Sequence, residues 1–194
     1  MTELLDGSDG LEQHYRTVQS TLTAMSGRIV DLRVAESTGH LGLVSRLLCP
    51  AIGAAAVGYH LDLGDLWWHP ADRGPLPLSL PGGAVTSDAV EAVSMDVVAE
   101  LTRATAELSV SHQVLEGNVA SAVNGAAATI CSTRPDLAAR TMAIAQELLP
   151  DAGPGFRRRS CCLYYRTTPA GTHVFCGDCI LAPAQLSDTG VAAG

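Results

Sequence analysis

The sequence predicts a mainly α-helical domain with a small β-hairpin and a C-terminal cysteine-rich segment. Three observations predict it. Apolar residues recur at alternating spacings of three and four along several stretches, the period of a helix face. Aromatic residues make up 4% of the chain against 47% apolar residues, so the core must be built from Ala, Val and Leu, which favours close helix packing over a broad sheet. Four of the six cysteines fall between positions 161 and 179. A chain of 194 residues can bury a core as one domain.

Residues 1–9 and 183–194 read as loose tails, 10–155 as the helical domain and 156–182 as the cysteine-rich segment. In the domain, Leu11, Tyr15, Val18, Leu22, Met25, Ile29 and Leu32 form one stripe and predict a helix over 10–37, with Gly39 as its stop. A second apolar helix is predicted over 41–58, broken or restarted at Cys49-Pro50. Trp67 and Trp68, the turn-like 71–74 and the extended run 75–80 predict a hairpin near 62–85. Thr86 or Ser87 then opens a helix with Asp88 and Glu91 in its first turns, striped by Val90, Val93, Val97, Leu101, Ala104 and Leu108 and ending near Ser111-His112. The next helix, 115–132, carries Gly117, Ser121, Gly125 and Thr129 on one face, where another backbone or a ligand can come close. Pro135 opens the last helix, which ends before the turn at 150–155.

The net charge of −8 argues against a general nucleic-acid binder. The charge is uneven. From Asp151 to Ile180 there are four Arg and two Asp, so the cysteine-rich end is a positive island in an acidic chain. The opening residues lack a basic stretch followed by an apolar run. The apolar stretch from Leu47 to Leu61, interrupted by Pro50, Tyr59 and His60, is too short for a transmembrane segment. These features set the expectation of a cytoplasmic, reducing location. There, clustered cysteines bind metal or catalyse before they form disulfides.

The cysteine pattern is Cys161-Cys162, thirteen intervening residues, then Cys176-Gly177-Asp178-Cys179. Four soft thiolates select zinc or an iron–sulfur cluster. A structural zinc ion usually takes two chelating knuckles, each with a few residues between its cysteines. A vicinal pair makes no such loop, whereas a binuclear cluster shares its ligands between two irons. A cluster is anionic, and reduction adds negative charge. Arg157, Arg158, Arg159 and Arg166 are candidates to offset it or to dock a partner. A solvated arginine face, a zinc site and, for an exported chain, disulfides remain the alternatives.

The motifs RRSCCLYYR (158–166) and CGDC (176–179) resemble those of the FhuF-type ferric-siderophore reductases. So do the stretch Val114 to Ala122 with its Gly117-Asn118 pair, Arg134 to Ala138, and Ser45-Arg46. The similarity is strongest over 114–180. It implies a 2Fe–2S cluster on Cys161, Cys162, Cys176 and Cys179 and one-electron reduction of Fe(III) held by a siderophore, with a hydroxamate as the candidate chelate. No flavin or nicotinamide site is legible, so a ferredoxin or flavoprotein must supply the electron. The inter-cysteine loop is longer than is usual in the family. A biosynthetic 2Fe–2S redox protein and a zinc-stabilised interaction module are the other functional classes.

Trp68, His69, Asn118 and His173 are candidate substrate contacts. For Trp68, hairpin packing is the competing role. For Asn118, it is a hydrogen bond to a neighbouring element. His173 lies three residues before Cys176, but four cysteines already complete a ligand set. Cys49 and Cys131 sit in apolar surroundings and read as small buried hydrophobes.

Overall fold

The first apolar stripe folds as two helices. The computed structural model describes residues 9–68, 77–87, 93–168 and 175–182. Helix α1 (Asp9–Ser26) stops at Gly27, whose φ of +67° suits glycine. Asp31 then caps α2 (Leu32–Ala56), its carboxylate accepting the Arg33 N–H at 2.8 Å. The single helix expected over 10–37 is thus corrected. Leu11, Tyr15 and Leu22 are buried, but Met25 and Ile29, beyond the reach of the core, are 76% and 89% exposed.

Helix α2 also overturns the expected boundaries at Gly39 and Cys49-Pro50, because it runs through both. Gly39 is a close-approach position. A Cβ there would lie 2.6 Å from Cδ1 of Tyr15, which is pinned by its hydroxyl bond to Thr105 Oγ1 at 2.7 Å. Pro50 sits on the exposed side, where water can reach a carbonyl that the proline cannot bond. The apolar stretch therefore begins earlier than Leu47. By length and composition α2 would suit a membrane span, yet it is the central core helix, and Val44, Leu47, Leu48 and Ile52 are buried in the fold.

The expected hairpin forms as two short antiparallel ladders. β1 (His60–Leu61) pairs with β4 (Val85–Thr86), and inside it β2 (Trp67–Trp68) pairs with β3 (Leu78–Ser79). The expected turn at 71–74 lies outside the described residues. Thr86 belongs to β4, so the following helix does not start there. That helix, α3, spans Asp96–Ala106, and residues 88–92 lie outside the described residues. Its expected end at Ser111-His112 is instead the start of α4 (His112–Thr133). A 3-10 turn at Pro135–Leu137 leads into α5 (Ala138–Leu148), as the proline signal predicted to within a turn.

Helix α2 packs against α1, α3, α4 and α5, and the main core joins Leu43, Leu47 and Ile52 to Leu101, Ala122 and Val123. A second, smaller core of Leu22, Val30, Val34 and Ala35 is covered by Leu163 and Tyr164 of the cysteine-rich segment. That segment is therefore seated on α1 and α2. Of the expected tails, 1–8 and 183–194 lie outside the described residues.

Candidate metal centre

The two cysteine arms are held together and to the helices by backbone. Arg158 N donates to the Asp178 carbonyl at 3.1 Å, joining the first arm to the second. The Asp178 carboxylate accepts the Ser121 hydroxyl of α4. From α2, Ser37 donates its hydroxyl to the Cys162 carbonyl at 2.9 Å, and from the α1–α2 connection Arg28 reaches the Thr168 carbonyl at 3.0 Å. The small-residue face of α4 is what admits this segment. A Cβ on Gly117 would strike Ser160 Oγ and lie 3.0 Å from Arg158 Nη2, whereas Gly125 faces open space and Thr129 is exposed.

The chain reversals at the thiols are tight. Leu163 sits at φ +67°, in the left-handed region a leucine rarely adopts, and its N–H points at Cys161 Sγ at 3.3 Å. Cys179 N bonds the Cys176 carbonyl at 3.1 Å, and Leu181 N points at Cys179 Sγ at 3.3 Å. Backbone donors aimed at sulfur stabilise thiolate charge and, in metal–thiolate centres, tune it.

The four cysteines are free thiols, and Cys162 Sγ lies 3.5 Å from Cys176 Sγ. Cys162 and Cys179 are buried, and Cys161 and Cys176 half-buried. Burial above all raises the Cys176 thiol, followed by the neighbouring Cys162 and then Asp178. Burial also raises Cys161, opposed by the Leu163 amide and reinforced by Cys162 and Cys179. Thiols crowded this way resist ionising together, and bound positive metal ions reverse that resistance. Among the described residues, no three His, Cys, Asp or Glu side chains are arranged to hold a single metal ion.

Arg158 is the most informative of the predicted cations. Its side chain is 1% exposed. Nε donates to the Ser160 carbonyl at 2.6 Å, and Nη2 donates to Asn118 Oδ1 at 2.7 Å and to the Val114 carbonyl at 3.4 Å. All these acceptors are neutral. Nη1 and the nearby Ser160 Oγ are buried without a hydrogen-bond partner. Among the described residues no counter-ion meets it, and a buried unpaired cation is costly. Arg158 also favours the thiolate of Cys161. The donor set, the orphaned nitrogen and the uncompensated cation all fit an anionic, thiolate-held group.

Asn118 is the junction behind that cation. Its Nδ2 donates to the Ser37 carbonyl at 2.9 Å and faces His40 Nδ1 at 3.4 Å. On its far side His40 Nε2 meets Thr102 Oγ1 at 3.2 Å, and Thr102 donates to the Val98 carbonyl at 2.7 Å. The bonding is consistent with a neutral imidazole protonated on Nε2. Burial lowers the His40 pKa to about 4.

The structure thus sets Cys162 beside Cys176 and Cys161 within electrostatic reach of Cys162 and Cys179, with Arg158 and Asn118 behind them. Of the other predicted cations, Arg166 lies within electrostatic reach of Cys161, and Arg157 shares a cavity wall with Cys176. Arg157, Arg159 and Arg166 are exposed. Arg157 donates to the Ala182 carbonyl at 2.8 Å, Arg159 pairs with Asp151 at 3.6 Å, and Arg166 lies over the Tyr165 ring. Trp68 is tied into the hairpin and packs on the main core, its competing role. His69 and His173 lie outside the described residues. Cys49 and Cys131 are half-buried, not fully buried as expected. Sequence reasoning missed Ser37, His40, Ser121 and Asp178. The available signal was Ser37 and His40, polar residues about one turn apart among the apolar positions of α2. No family model, no curated protein and no solved structure matches the chain.

Proposed function

We propose that the chain is a cytoplasmic 2Fe–2S ferric-siderophore reductase of the FhuF type, with Cys161, Cys162, Cys176 and Cys179 as ligands. The observation that carries the reading is the approach of Cys162 Sγ to Cys176 Sγ at 3.5 Å, near a buried Arg158 guanidinium that has no counter-ion among the described residues. When bound, such a cluster supplies one-electron transfer. The residues around it have the work of holding charge and excluding water. Arg158 offsets the negative charge of the ligand set, and Asn118 fixes its guanidinium in place. The Leu163 and Leu181 amides direct partial positive charge at two sulfurs. No acid or base is required. Fe(III) is the harder ion and prefers the oxygen donors of a hydroxamate, so its reduction to Fe(II) weakens the chelate and releases the metal. A ferredoxin or flavoprotein restores the electron. With Arg158 buried, Arg159 and Arg166 are the exposed cations on which an acidic donor would dock.

The test is anaerobic. Dithionite-reduced protein, freed of excess reductant, is mixed with a ferric trihydroxamate, and Fe(II) is trapped with a ferrous-specific chelator. The expected yield is about one Fe(II) per cluster, since the cluster is a one-electron carrier. Protein that bleaches with dithionite yet passes no electron to any ferric chelate would favour a biosynthetic redox role.

A further inference from the structure

A cavity of about 1150 Å³ opens against the second cysteine arm. Cys176 and Gly177 form part of its wall, Phe156, Phe175 and Met142 give it apolar surface, and Arg157 is the cation on its lining. The lining holds no carboxylate among the described residues. Ordinary small-molecule sites measure about 300–1,000 Å³. This cavity therefore has room for a wrapped chelate and far exceeds a bare ion. Its floor is made of small residues, Ala127 and Ala128 of α4 and Ala138 of α5, which is why the space exists at all.

We propose that this cavity is the docking site of the ferric chelate, an inference that rests on the reductase reading. The chemistry of the walls names the class. Aromatic and thioether surface suits the carbon framework of a chelate whose oxygen donors are turned inward onto the metal. One cation without a carboxylate suits an overall charge of zero or below. Cys176 places the ligand shell of the proposed centre at the wall, so a chelate seated here abuts it with no intervening element.

The test uses a gallium(III) trihydroxamate, which has the shape and charge of the ferric chelate but takes no electron. Its binding to the purified, cluster-loaded protein is measured by calorimetry. Ala128 is exposed on α4 and lines the cavity, so Ala128→Trp fills the space without disturbing the core. The expected result is about a tenfold weaker binding by Ala128→Trp, with the melting temperature and the visible spectrum unchanged. Arg157→Gln is expected to weaken an anionic gallium tricatecholate more than the neutral trihydroxamate. Loaded wild-type protein that binds neither chelate, or Ala128→Trp protein that binds as the wild type does, overturns the inference while leaving the reductase reading intact. Protein that holds no iron removes that reading and this inference with it.

Discussion

At the scale of single residues, Asn118 and Arg158 decide most. Asn118 bonds Arg158, Ser37 and, more weakly, His40, and all four are buried. Removing its amide orphans several buried polar groups at once. Asn118→Ala is expected to lower stability by about 2–3 kcal/mol, read as a fall in melting temperature. Arg158→Gln is expected to lower the reduction potential of the loaded protein by about 59 mV or more, a tenfold change in a one-electron equilibrium. Arg158→Lys keeps the charge and should recover much of that shift. Arg159→Gln, exposed and paired with Asp151, should leave the potential unchanged. Equal shifts for Arg158→Gln and Arg159→Gln would contradict the account. His40 adds a pH dependence. Its folded pKa of about 4 lies below the ordinary 6.5, so between these values the unfolded chain binds more protons. Its stabilising contribution is complete above pH 6.5 and is lost as pH falls toward 4, about 3 kcal/mol in all. Denaturant melts across that window should reveal the slope, and His40→Gln should flatten it.

At the scale of elements, the glycines of α2 and α4 set where other elements can approach. Gly117→Ala brings a methyl group onto Ser160 and Arg158. It is expected to dislodge the first cysteine arm and reduce the bound iron, while far-UV circular dichroism keeps the helical signal. Gly125→Ala meets nothing within 4 Å and should raise stability by roughly 0.5–1 kcal/mol with iron content unchanged. Equal iron content in the two variants would contradict the proposed seating of the arm. These elements also show what was legible. The span of α4, the hairpin and the small-residue face followed from local signals: turn residues, periodicity and composition. The break at Gly27 did not, because Met25 and Ile29 continue the apolar spacing although they end exposed. Gly39 looked like a stop because its reason, the Tyr15 ring, lies across a helix–helix contact. The late start of α3 was hidden by helix-start residues at Thr86 and Ser87, of which Thr86 pairs in β4.

At the scale of the whole molecule, the helices form a frame that carries the cysteine-rich segment against α4. The four cysteines could be read as a ligand set from their spacing alone. The polar chain behind them could not, since Asn118 meets Ser37 across 81 positions and Arg158 across 40. A uniformly apolar α2 would keep the Ser37 carbonyl that Asn118 bonds but would lose the Ser37 hydroxyl that holds the Cys162 carbonyl. The polar residues of α2 therefore serve the C-terminal segment, and fold and centre are built as one unit. The central claim is that this unit holds a 2Fe–2S cluster. It is tested most directly by iron, sulfide and zinc analysis of anaerobically purified protein, with its visible spectrum taken before and after dithionite. The account predicts red-brown protein with about two irons and two sulfides per chain, bleached on reduction. Colourless protein carrying one zinc and no sulfide would contradict it.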